Sequence, residues 1–179
     1  MKIYIIGMIL SIFLVGCSAP KGVNFSVDNE GSVIKGITYN YDKFRQQGWL
    51  STEWYVSSKE EPYVSVKYRS LYEDGNLSFI QLYARMGQSD WCFLNGAYDE
   101  NGKKYEFHKV DTEISSVAGV VVVFEYFALS LTKEQLEKNA LKSIEFKATG
   151  KKCDAKFIVD KKMSSAFLKT INQRATKQP

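Results

Sequence analysis

The sequence predicts a single, mainly antiparallel β domain of the α+β class, a β-sandwich or strongly curved sheet, with two short helices in its carboxyl-terminal half. Apolar residues recur at every second position in one segment after another. Turn signals such as Glu73-Asp74-Gly75-Asn76 and Asn101-Gly102 separate those segments, and helical spacing sets in only after Thr132. A chain that is 45% hydrophobic and 14% aromatic with three prolines is not a disordered one. With no internal repeat and no linker, residues 32–179 read as one globular domain.

Taken in order, residues 1–16 carry Lys2 and then an apolar run, shorter than the ~20 residues a spanning helix needs, and read as a cleaved targeting segment. Residues 17–31 hold Pro20, Gly22, Asn24, Asp28 and Gly31 with little periodic apolar content, and read as a tether, with room for a first strand at its end. Val33 to Tyr41 suggests a strand interrupted at Gly36, followed by a polar break to Gly48. Trp49 to Ser57 places Leu50, Thr52, Trp54 and Val56 on one face, and Pro62 to Ser70 does the same with Val64, Val66 and Tyr68. In Leu77 to Met86, Ile80, Leu82 and Ala84 alternate with Phe79, Gln81 and Tyr83, so the strand is either covered twice or offers one face for contact.

Trp91 to Tyr98 and Lys103 to Val110 flank Asn101-Gly102, a strong hairpin signal because both residues tolerate positive φ. Val120 to Leu129 is almost wholly apolar with Glu125 its only charge, and reads as the central strand buried on both faces. Thr132-Lys133-Glu134-Gln135 matches a capping box and starts a helix to about Leu141. Ser143 to Thr149 alternates with Ile144, Phe146 and Ala148 inward, and Gly150-Lys151-Lys152 turns it into Cys153 to Asp160. Met163, Ala166, Phe167 and Ile171 then fall at helical spacing.

Chemistry-bearing sets are sparse. His108, the only histidine, shares a strand face with Glu106, which fits a general base or an ordinary exposed strand residue, and no nucleophile or second ligand accompanies it in sequence. No phosphate loop, nucleophile elbow, dinucleotide fingerprint or calcium loop is present, so neither cofactor nor metal is expected. Asp90, Asp99 and Glu100 read as turn residues. The stripe Phe79, Tyr83, Trp91 and Phe93 reads either as a recognition surface or as core packing.

Without residues 1–16 the chain carries 23 basic and 20 acidic side chains, since Lys2 is the one charge removed, and a net +3 calls for no nucleic-acid partner. From Lys142 to Pro179, however, ten basic residues face three acidic ones. Lys151, Lys152, Lys161 and Lys162 of that stretch either meet anionic lipid or another acidic envelope polymer, or form a solvated face.

Leu14-Val15-Gly16-Cys17 resembles the lipobox of bacterial lipoprotein precursors, in which two aliphatic residues and a small one precede a Cys. The resemblance implies a diacylglycerol thioether on Cys17, cleavage before it, acylation of the new amino terminus, and so anchoring to membrane lipid. By the same resemblance Ser18, where an Asp would retain the protein at the inner membrane, points to the outer membrane, on its periplasmic side. Three Cys less the lipidated one leave Cys92 and Cys153 in a compartment that permits disulfides. Cys92 alternates in phase with Leu94, and Cys153 with Ala155, Phe157 and Val159, so both point inward and are expected to bond, two buried thiols being the alternative. The function expected from these features is a non-enzymatic binding or assembly module with a protein or other envelope component as partner. A second expectation, from a different class, is an inhibitor or immunity lipoprotein guarding the periplasm against a toxin or lytic enzyme.

Overall fold

The computed structural model describes residues 23–58, 60–117 and 119–175. Cys17 and the expected targeting segment lie outside them. The strands are β1 (Val23–Asn24), β2 (Thr38–Asp42), β3 (Gln47–Ser51), β4 (Trp54–Val56), β5 (Tyr63–Glu73), β6 (Asn76–Gln88), β7 (Leu94–Asp99), β8 (Phe107–Val117), β9 (Val120–Leu131), β10 (Ile144–Gly150) and β11 (Asp154–Val159). The helices are α1 (Glu30–Lys35), α2 (Lys133–Leu141) and α3 (Lys161–Ala175).

An eight-stranded sheet runs β1-β4-β5-β6-β9-β8, with β3 beside the far half of β5 and β2 outside β3; a three-stranded sheet runs β11-β10-β7. All pairings are antiparallel except β1 with β4. Strand alternation gives the large sheet one apolar face: Val64, Val66 and Tyr68 of β5, Ile80, Leu82, Ala84 and Met86 of β6, and Phe127, Leu129 and Leu131 of β9 are buried. Against it pack the small sheet and α3. Phe127 meets Phe157 of β11 edge-on at 6.2 Å, and Tyr68 stacks on Phe167 of α3 at 5.3 Å while its hydroxyl pairs with Ser164 Oγ at 2.9 Å. At about 1.5–3 kcal/mol for each fully buried large side chain, this interface supplies most of the hydrophobic stabilisation. The mainly β architecture, the capping box at Thr132 and Gln135, and the helix built on Met163, Ala166, Phe167 and Ile171 all match the sequence reading.

Four local expectations are corrected. The strand expected from Val33 is α1 followed by β2. Asn29 caps the helix by accepting from Ser32 N at 2.9 Å, Glu30 bonds Lys169 at 2.5 Å and Ser165 at 3.0 Å, and Val33 is fully buried. Contacts with α3 thus decide a six-residue segment too short to hold a helix alone. Among the described residues the first strand is Val23–Asn24, within the stretch read as a tether with a first strand at its end.

The strand expected across Trp49–Ser57 breaks at Thr52 and Glu53. Thr52 N donates to Tyr68 O and its Oγ1 accepts from Tyr68 N, both at 3.0 Å, so the side chain replaces a ladder partner. The phase shifts by one: Leu50 and Tyr55 face the core, and Trp54 and Val56 face out.

Asn101-Gly102 makes its tight turn, with Gly102 at φ +76°, but only the bridge Tyr98↔Lys104 follows. The chain then leaves the small sheet for β8 of the large one. The corner is held by Asp99, which accepts from Asn101 N, Lys103 N and the Tyr105 hydroxyl at 2.9, 3.0 and 3.1 Å.

Finally, β9 lies between β6 and the edge strand β8 rather than at the centre. Pairing with β6 ends at Gln88↔Val123, so the hairpin tip overhangs and leaves Val120 and Val121 exposed. Glu125 is nevertheless buried on the core side, for a reason given below.

Candidate functional site

The alternation that buries one face of the large sheet sends a different set of residues to the other. On β5 these are Ser65, Lys67 and Arg69; on β6, Phe79, Gln81, Tyr83 and Arg85; on β9, Phe124 and Tyr126. Trp49 of β3 and Trp54 of β4 join them. Register places Lys67 beside Tyr83, Arg69 beside Gln81 and Arg85 beside Tyr126.

Cations and rings interleave across this face. Lys67 Nζ lies 4.9 Å from the Trp54 ring centre and 5.3 Å from Tyr83; the Arg69 guanidinium lies 4.0 Å from Tyr83 and 5.1 Å from Trp49; that of Arg85 lies 5.3 Å from Trp54 and 5.5 Å from Phe124. Trp49 meets Phe79 at 5.5 Å, Trp54 meets Tyr83 at 5.2 Å, and Tyr83 stacks toward Tyr126 at 6.2 Å. Arg69 Nε donates to Gln81 Oε1 at 2.9 Å, and the Tyr126 hydroxyl donates to Glu113 at 2.9 Å.

None of the ion pairs among the described residues involves Lys67, Arg69 or Arg85. Burial among the rings pushes the Lys67 ammonium below its ordinary range, with the Arg69 charge adding to it, and burial likewise lowers the Arg69 guanidinium. Burial raises the Tyr83 hydroxyl, against the pull of Arg69. The face therefore carries three cations, two of them partly desolvated, with no ion-pair partner among the described residues. Asp111 and Glu113 stand on its β8 side beside Tyr126 and Phe124, so the β4–β6 part is the one that favours an anion coming to it.

Of the aromatic stripe read from sequence, Phe79 and Tyr83 belong to this face. Trp91 and Phe93 do not pack with them in the observed ring pairs; they stack on each other at 6.0 Å in the loop before β7. That loop is fixed by Glu125, whose Oε2 accepts from Cys92 N at 2.7 Å and Phe93 N at 3.2 Å and whose Oε1 accepts from Leu94 N at 3.0 Å. Three amide donors satisfy a carboxylate left 6% exposed. Cys92 is bonded to Cys153, with α-carbons 5.1 Å apart.

The four lysines divide into two pairs. Lys151 and Lys152 sit at the turn between β10 and β11, where Lys152 bonds Asp90 at 3.2 Å and lies 5.4 Å from the Phe93 ring centre. Lys161 and Lys162 start α3, and Lys162 Nζ donates to Asp28 O at 3.1 Å. The six residues of β11 separate the pairs by roughly 20 Å, so they form no single patch.

His108 Nε2 lies 2.8 Å from Ser130 Oγ and 3.6 Å from Glu106 Oε1. The serine was not foreseen from sequence, where no nucleophile stood near. Both partners approach the same ring nitrogen, whereas a serine–histidine–carboxylate relay needs one partner on each. Among the described residues no three His, Cys, Asp or Glu side chains converge as a metal site. Nor is any helix there long and apolar enough to cross a membrane.

Sequence reasoning passed over Lys67, Arg69, Arg85, Trp49, Trp54 and Tyr126. A signal existed: Tyr63 to Tyr72 and Gly75 to Ser89 contain those three cations and no acid. Compared with known proteins, the chain matches no family model, no curated sequence and no solved structure.

Proposed function

We propose that this protein is a non-enzymatic binding or assembly module, tied to the outer membrane through an acylated Cys17 and acting through the outer face of its large sheet on an anionic component of the envelope. The observation that carries the reading is the set Lys67, Arg69 and Arg85, interleaved with Trp49, Trp54 and Tyr83 and lacking a carboxylate partner among the described residues. A surface evolved only for solubility has little reason to set charges among rings that desolvate them. The lipobox-like Leu14-Val15-Gly16-Cys17 supports the membrane location in this reading.

Two measurements test it. Intact mass of the purified native protein gives an acylated chain beginning at Cys17; a retained leader or a free thiol there overturns the anchoring. Affinity capture from solubilised envelopes with wild type and K67Q/R69Q/R85Q then examines the face: an anionic component held by the wild type and released by the variant is expected, and equal retention rejects the assignment. Deletion separates this reading from the protective one, since sensitivity that arises only beside competing cells belongs to an immunity role.

A further inference from the structure

The basic and aromatic face is distinguished by its position as well as its composition. Val23, the first residue of β1, is the register partner of Trp54, whose indole stands among Lys67, Arg85 and Tyr83. Only Ser18 to Gly22 separate Val23 from Cys17, a connection that spans about 20 Å even when fully extended. Cys17 is thus held within about 20 Å of Val23, at the margin of this face.

We infer that the face docks flat on the anionic headgroup surface of the bilayer to which Cys17 ties the chain, with Lys67, Arg69 and Arg85 against acidic headgroups and Trp49, Trp54 and Tyr83 at headgroup depth. This rests on the reading that the face is the binding surface and that Cys17 carries lipid. The small sheet, α2 and α3 then point away from the membrane.

Over the β4–β6 part of the face charge complementarity favours this occupant, with Asp111 and Glu113 at the β8 margin. Lys67 and Arg69 are two residues apart on one strand, about 7 Å, and Arg85 lies on the adjacent strand, so the cations meet a field of anions rather than one. An extended peptide gains affinity by pairing its backbone with a sheet edge, but here the backbone is spent within the sheet. Nucleic-acid bases need free ring faces, and cations cover faces of Trp49, Trp54 and Tyr83. Lys or Arg beside Trp and Tyr is also the composition that a lipid–water interface selects. Each cation near an anionic surface strengthens binding about fivefold, so three give about 150-fold; the effect needs near contact, because charges are screened beyond ~8 Å at physiological salt.

The test uses the full-length acylated protein carrying W91F, which leaves Trp49 and Trp54 as emitters, in vesicles with brominated acyl chains. Phosphatidylethanolamine with phosphatidylglycerol is compared with phosphatidylcholine alone. Quenching in the anionic vesicles only, lost at high salt and in K67Q/R69Q/R85Q, is expected. Equal quenching in phosphatidylcholine, or none in the anionic vesicles, overturns the inference. Dextran sulfate in solution separates the two levels of failure. An emission shift through the same three residues without vesicle quenching discards the lipid and keeps the anion-binding face; no response to either discards both. R69Q alone, which removes one charge, is the control against a fold lost in the triple variant.

Discussion

Glu125 is the residue on which the cystine loop depends. Its carboxylate satisfies three consecutive amides, and Phe93 between them takes φ +58°, a conformation that an unclamped loop would relax. Glu125→Ala leaves those donors buried and unmet, and a cost of about 3 kcal/mol is expected in urea unfolding at pH 7. A change below ~1 kcal/mol would show that the loop does not need the clamp. Gly150 stands equally close: a β-carbon there would lie 2.5 Å from Cys92 O and 2.8 Å from Cys92 Sγ. Gly150→Ala is expected to cost about 1–3 kcal/mol, because backbone on one side and the bonded sulfur on the other leave little room to shift. A variant as stable as wild type would contradict this packing. The sequence marked Glu125 as the lone charge of its strand and both cysteines as inward-facing. Its partners lie more than thirty residues away, so no local pattern could show the clamp.

At the scale of elements, what could be read from sequence divides by range. The helix α2 was readable because its cap is local: Thr132 Oγ1 accepts from Gln135 N at 3.2 Å, and Gln135 Oε1 accepts from Thr132 N at 2.7 Å. Thr132→Ala should cost about 1 kcal/mol, measured by thermal unfolding, and a shift toward higher stability would contradict the box. The helix α1 was not readable, since Lys169 and Ser165, which hold Glu30, come from the far end of the chain. The strand β9 was misplaced because apolar content reports burial, whereas its position beside an edge is set by where β6 stops pairing. The outer face was half legible. Phe79 and Tyr83 drew notice as aromatics, but Lys67, Arg69 and Arg85 look like ordinary solvent-side residues until register sets three strands side by side.

For the whole molecule, ionisation bounds the pH range of stability. Hydrogen bonding to Lys169 holds the Glu30 carboxyl below its ordinary 4.5, and hydrogen bonds to Lys142 and Lys138 do the same for Glu100 and Glu134. The folded state thus releases these protons more readily than the unfolded chain, so the stabilisation is present above pH 4.5 and is lost as pH falls through the depressed folded values. On the alkaline side, burial raises the hydroxyls of Tyr68 and Tyr83 above their ordinary 10.0. An unfolded chain loses those protons first, and stability falls as pH rises past that value. Urea midpoints across pH should form a plateau bounded by these two limits, and a midpoint that keeps rising below pH 4 would contradict the carboxylate pairings.

Lys67 and Arg69 of the outer face behave differently, because burial costs them stability that no ion pair among the described residues returns. If they serve a partner, the isolated fold can do without them. The urea midpoint of K67Q/R69Q/R85Q against wild type, at pH 7 with no vesicles or polyanion present, tests this directly. The variant is expected within about 1 kcal/mol of wild type, or more stable, since weak cation–π attraction and desolvation oppose each other. A loss of several kcal/mol would make the ladder of rings and cations a support of the fold, and would contradict its assignment as a binding surface.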